Sequence, residues 1–143
     1  MSKLLIDTNI VLDLLAKREP FYKSAAQVFS LADKHKLKLT VSSLTFANTN
    51  YVLTRLKSAK EAREILRKFK ILVKILSLNE KIVDLALNDK DFKDFEDGLQ
   101  YYTAVENNQD FIITRDLRDF KQAKIPVMTA EEYLISKEKS QSS

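Results

Sequence analysis

Short apolar runs alternate along the chain with longer stretches whose apolar residues recur every three or four positions, the pattern of strands alternating with amphipathic helices. Leu4-Leu5-Ile6 is a continuous apolar run, as expected of a strand buried on both faces. It passes through Asp7-Thr8-Asn9, all good cap or turn residues, into a helix carrying Val11, Leu14 and Leu15. Pro20 and Phe21 open a second helix, striped with Ala25, Val28, Phe29 and Ala32. Residues 39–42 read as a strand, and Ser43 caps a helix over 44–57 with Phe46, Leu53 and Leu56 pointing inward. Ser58 caps a helix over 59–72, residues 73–78 form a strand, and Asn79 caps a helix carrying Ile82, Val83, Ala86 and Leu87. A helix from about Asp94 to Asn107 leads into 111–114, the clearest buried strand. A last short strand, 125–128, contains Pro126, which suits a sheet edge, and Thr129 caps a final helix.

This alternation predicts an α/β fold: a mostly parallel sheet of four or five strands flanked by helices, one domain over residues 1–135. Residues 136–143 read as a disordered polar tail. In such a sheet all strands end at one edge, where ligands bind. Asp7 directly follows the first strand, and Asp116 lies two residues beyond Thr114, the end of the fourth. The helix before that fourth strand runs antiparallel to it, so Asp97 in its first turn arrives at the same edge. Asp119 can face the same pocket from a single helical turn. Asp94 shares a helix face with Asp97, whereas Glu96 points elsewhere.

Composition narrows the chemistry. There is no Cys, so disulfides and thiolate metal sites are excluded, and the single His35, set between two lysines, leaves no pair for histidine-based catalysis. The N-terminus lacks the pattern of a signal peptide and no run reaches membrane-spanning length, so a cytoplasmic protein with no membrane partner is expected. The net charge of +4 is uneven: residues 1–72 carry a net +8 and residues 73–143 a net −4. A basic half beside an acidic half suggests a polyanion held next to a cation-binding pocket. Arg55 and Lys57, followed by the basic helix over 59–72, and Arg115 beside Asp116 are candidate phosphate contacts. Converging carboxylates with no His or Cys nearby repel unless a hard divalent cation neutralises them, which points to Mg²⁺ or Mn²⁺. Such a site suits hydrolysis of a phosphodiester. For each acid taken alone, a helix-cap or turn role explains its position equally well.

The stretches Leu5-Ile6-Asp7-Thr8-Asn9-Ile10-Val11-Leu12-Asp13, Phe95-Glu96-Asp97-Gly98-Leu99-Gln100 with Ala104, and Ile112-Ile113-Thr114-Arg115-Asp116-Leu117-Arg118-Asp119-Phe120 resemble, in order and spacing, the motifs of PIN domains, the nuclease fold of VapC-type toxins. The resemblance implies a three-layer sandwich and a metal-dependent endoribonuclease, the toxin of a toxin–antitoxin pair, commonly homodimeric and inhibited by a small antitoxin. It implies metal binding and catalysis by Asp7, Asp97 and Asp116, with Asp119 as a further acid. Asn9 and Thr114 would orient the carboxylates. Asp13 matches a recurring acid of the first motif but lies a helix turn and a half away, on a helix face or pocket rim. One position departs from the pattern: Asn48 stands where the family usually supplies a Glu, so the site would lean on Glu96, Asp94 or Asp119. Two alternatives follow: a catalytically weakened scaffold that binds RNA or a protein, and a Mg²⁺-dependent phosphotransfer domain. Against the second, Asp7-Thr8-Asn9 lacks the neighbouring Asp of such nucleophilic sites.

Overall fold

Leu4, Leu5 and Ile6 have no solvent exposure, and the strand they build, β1 (Lys3–Ile6), lies at the centre of the sheet. Burying each such side chain stabilises the fold by roughly 1.5–3 kcal/mol. The computed structural model describes residues 1–142. After β1 come α1 (Thr8–Leu15), α2 (Tyr22–Asp33), β2 (Lys38–Ser42), α3 (Ser43–Leu56), α4 (Ala59–Lys70) and β3 (Lys74–Leu76). The second half contains α5 (Glu80–Asn88), α6 (Phe95–Glu106), β4 (Phe111–Ile113), a 3₁₀ turn (Leu117–Phe120), β5 (Val127–Met128) and α7 (Ala130–Ser142). The five strands are all parallel, in the order β3-β2-β1-β4-β5. Both edge strands are short, of three and two residues, and Pro126 precedes the outer one.

Two apolar layers cover the sheet. Leu4 and Ile6 face Val11 of α1, Val28 and Phe29 of α2, Phe69 near the end of α4, and Tyr133 of α7. Leu5 faces the other way, toward Tyr101 and Ala104 of α6 and Phe120, while Ile82 and Ala86 of α5 pack on Leu99. The result is the three-layer α/β sandwich that the motifs implied.

The helix starts follow capping chemistry. Asp7, Ser42, Ser58, Asn79 and Asp94 each accept a backbone N–H of the turn they precede. Thr129 and Glu132 bond each other's backbone N–H in a reciprocal capping box. The cap of α3 is thus Ser42, one residue before the expected Ser43. Leu56, expected inward, is 63% exposed, because α3 ends there; Leu53 is buried and Phe46 packs on the core as expected. The tail expected to be disordered from Ser136 is helical instead: α7 continues through it, with Ser136 donating to the Tyr133 carbonyl and Lys137 to that of Lys36. Ser143 lies outside the described residues.

Candidate active site

Strand order reverses at β1: the chain steps from β1 out to β2 and β3, then returns to place β4 on the other side of β1. That switch point opens a crevice at the carboxyl ends of β1 and β4, and ligands bind in such crevices. The backbone N–H of Asp7 extends the ladder by donating to the Ile113 carbonyl at 3.0 Å, so Asp7 stands at the lip of the switch point. Here lies a cavity of about 330 Å³ lined by six carboxylates: Asp7, Asp94, Glu96, Asp97, Asp116 and Asp119. Thr8, Asn9, Leu12, Asn48 and Gln100 complete its wall, and no Lys, Arg or His is among the lining residues.

Asp7 is the most constrained of these acids. Its Oδ1 accepts from the Thr8 N–H at 2.8 Å and from Gln100 Nε2 at 3.3 Å, and its Oδ2 accepts from the Thr114 hydroxyl at 2.8 Å. Asn9 Nδ2 reaches Asp116 Oδ2 at 3.0 Å and Thr114 Oγ1 at 3.2 Å, and its own Oδ1 accepts the Arg115 backbone N–H. Asn9 and Thr114 therefore tie the two strand-end carboxylates into one rigid frame, as orienting partners do around a metal ligand. Asp97 is held differently: its backbone N–H donates to Asp94 Oδ1 at 3.2 Å, and it lines the cavity from the first turn of α6.

The electrostatics record the crowding. Burial pushes the Asp7 carboxyl above the ordinary carboxylate range, against hydrogen bonds from Thr114, Thr8 and Gln100 that pull it down, and the Asp116 charge adds to the rise. Burial, together with the charges of Asp94, Asp7, Asp119 and Asp116, pushes Asp97 up to about 7. A raised value means that the native state holds a proton which the unfolded chain has released, so acid favours folding between the two values. In chelator, the thermal stability of the metal-free protein is therefore expected to rise as pH falls from about 8 to about 5. Melting curves of wild type and Asp97→Asn test this: the substituted chain should lose part of that slope, and equal slopes would refute the coupling.

The chemistry of the donor set fits a hard cation. All donors are oxygens, and no positive side chain offsets the acids. Among the described residues Gln100 Oε1, like the hydroxyls of Thr49 and Thr54 outside the cavity, is buried without a hydrogen-bond partner, and it alone of the three is on a residue that lines the cleft. Among the described residues, no three acidic side chains converge tightly enough to hold an ion by themselves. An ion held there would complete its coordination with water or substrate oxygens.

Several expectations meet the structure differently. Asn48 does line the cavity, as does Glu96, which the helix geometry had pointed elsewhere. Asp13 is not a rim residue. It is fully buried and receives Arg115 in a two-point ion pair, Nε to Oδ2 at 2.8 Å and Nη2 to Oδ1 at 3.0 Å. The same guanidinium lies 3.9 Å from the Phe21 ring centroid. Arg115 is thereby tied to α1, with 28% of its side chain still exposed. Arg55 and Lys57 sit at the far end of α3, outside the cavity, and Arg55 bonds the Tyr51 hydroxyl instead. Two residues went unforeseen: Gln100, which bridges Asp7 and the Thr45 hydroxyl, and Thr45, which also meets Thr8. Gln100 had a readable signal, since it lies three residues after Asp97 on the same helix face. Thr45 had none.

A parallel α/β sheet with an acidic cleft at its switch point defines the class of domain to which the chain belongs. The chain belongs to the PIN domain family, whose profile matches residues 3–118. It is 29% identical over 135 residues to Ribonuclease VapC1 of Aquifex aeolicus (strain VF5), covering 92% of this chain and 93% of that one. Among solved structures, a DNA-bound VapBC from Salmonella typhimurium superposes with a TM-score of 0.70 at 16% identity, over 91% of this chain and 99% of that one. A toxin–antitoxin complex from Klebsiella pneumoniae gives a TM-score of 0.67 at 23% identity, over 89% and 97%. These likenesses establish the fold.

Proposed function

We propose that this protein is a Mg²⁺- or Mn²⁺-dependent endoribonuclease that hydrolyses RNA phosphodiester bonds and acts as the toxin of a toxin–antitoxin pair, held in check by a small antitoxin protein. One observation carries the reading: six carboxylates with no cation among them line a single cleft at the switch point. The ribonuclease relative and the solved toxin–antitoxin complex support the activity and the kind of partner. Asp7, Asp97 and Asp116 would hold the ion, with Asp119 beside them. Asn9 and Thr114 keep Asp7 and Asp116 in place, and Gln100 steadies Asp7 from α6. A bound ion would supply the neutralisation and water activation that phosphodiester hydrolysis needs. Asp97, half-buried and pushed up to about 7 by burial and the neighbouring acids, would gain from the neutralisation that ion brings.

Asn48 offers an amide where a further carboxylate would strengthen the site. The test is a divalent-metal titration with a panel of RNAs, read by cleavage and by the melting temperature together. Asn48→Glu is expected to tighten Mg²⁺ or Mn²⁺ binding by on the order of tenfold, and Asp97→Asn to weaken it by a similar factor. Metal-dependent cleavage by wild type supports the enzyme. A protein that neither cleaves RNA nor is stabilised by either ion overturns it.

A further inference from the structure

The opposite edge of the sheet carries a second, larger cavity of about 580 Å³ with the reverse electrostatics. Its size falls within the range of small-molecule sites, roughly 300–1,000 Å³. The register of the strands explains what lines it. Lys3 of β1 pairs with Lys38 of β2, and Lys74 of β3 pairs with Thr40, two residues further along β2. Partners in a parallel ladder share a face, as do residues two apart on one strand. Lys3, Lys38 and Lys74 therefore stand in a row on one face, one lysine from each of three adjacent strands, with Thr40 among them.

This is the face on which Leu5 packs against α6, but the lysines lie at its margin and remain exposed. Among the described residues none of the three has an ion-pair partner, and Asp33 is the one acid on the cavity wall. Buried Thr40 and Gln109 form a polar floor, locked by the Thr40 hydroxyl donating to Gln109 Oε1 at 2.9 Å and by Gln109 Nε2 donating to the Asn107 carbonyl. Ile71, 84% exposed, stands on the wall as an apolar surface beside the lysines. A fixed polar floor, three exposed ammonium groups against a single wall acid, and an apolar wall match a ligand with a charged end and a flat, weakly polar end.

We propose that this cavity binds a nucleoside phosphate, either free or as the phosphorylated end of an RNA chain, with the lysine row on the phosphate and the apolar wall against the base. The site is independent of the acidic cleft and of its metal. Binding is therefore measured in chelator, with full-length Asp7→Asn protein so that no RNA is cleaved. The probes are ADP, adenosine, and one short single-stranded RNA with and without a 5′-phosphate. ADP or the 5′-phosphorylated RNA is expected to bind and to shift the amide resonances of Thr40 and Gln109. Adenosine and the 5′-hydroxyl RNA should bind more weakly by on the order of tenfold or more, and affinity should fall as salt rises. Adding Lys3→Glu, Lys38→Glu and Lys74→Glu together, all at exposed positions, should abolish the preference for phosphate while leaving the melting temperature near its starting value. Binding of ADP identifies the free nucleotide as a ligand, and binding of the phosphorylated RNA alone identifies the RNA end. No binding of either phosphate, or binding that the triple charge reversal leaves unchanged, overturns the proposal.

Discussion

Asp7→Asn is expected to lower the rate of RNA cleavage by about 10³-fold while leaving the fold intact, and Asp116→Asn should do nearly the same. The size follows from removing a charged ligand from a site whose ion supplies several kcal/mol of transition-state stabilisation. Asn is the informative replacement because Asp7 has two roles. Its Oδ1 caps α1 through the Thr8 N–H, and an Asn side chain keeps that bond, whereas Ala would lose a cap worth about 1 kcal/mol. The substitution also removes a buried charge that the fold disfavours, so without metal the Asn protein should melt no lower than wild type. Initial rates on a cleaved RNA, measured beside melting curves in chelator, separate the two effects. Full activity in Asp7→Asn would remove the acidic cleft from the chemistry.

The largest stability effect is expected at Arg115→Met, which should destabilise the protein by roughly 3–5 kcal/mol by leaving the fully buried Asp13 carboxylate unpaired. Against a total stability of about 5–15 kcal/mol, that brings the chain close to unfolding. Changing both partners, Asp13→Leu with Arg115→Met, should recover most of the loss, since an apolar pair of similar volume needs no neutralisation. Urea denaturation of the two variants decides the matter: a mild single variant, or a double variant as weak as the single, would show that the pair is not what holds this corner. The corner matters to the cleft because the Arg115 backbone N–H bonds Asn9 and the next residue is Asp116.

Much of the fold and of the cleft could be read before any coordinates. The apolar runs at Leu4-Leu5-Ile6 and Phe111-Ile112-Ile113 announce central strands, and a cap residue directly after such a run marks where the carboxyl edge lies. Asp7, Asp97 and Asp116 converge by topology, which needs no side-chain detail. What remained hidden depends on contacts distant in sequence. A charge at Asp13, one and a half turns into α1, reads as surface until its partner, about a hundred residues away, is known. The placement of Gln100 and Thr45 against Asp7 is likewise set by how α6 and α3 pack, and Arg55 was carried away from the cleft by the direction of α3. The helical continuation of α7 beyond Ser136 involves contacts to α7 itself and to the Lys36 carbonyl, neither visible in a polar, weakly patterned segment.

The brevity of β3 and β5 has a consequence for how other molecules can attach. Three residues on one flank and two on the other, with a proline beside the latter, leave very few open main-chain donors and acceptors to template an added strand. Strand addition would gain only two or three backbone bonds, too little to offset ordering a flexible peptide. A protein inhibitor therefore has to grip helix faces or reach into a cavity with its side chains. The same bluntness protects newly made copies of the chain from sticking to one another edge to edge.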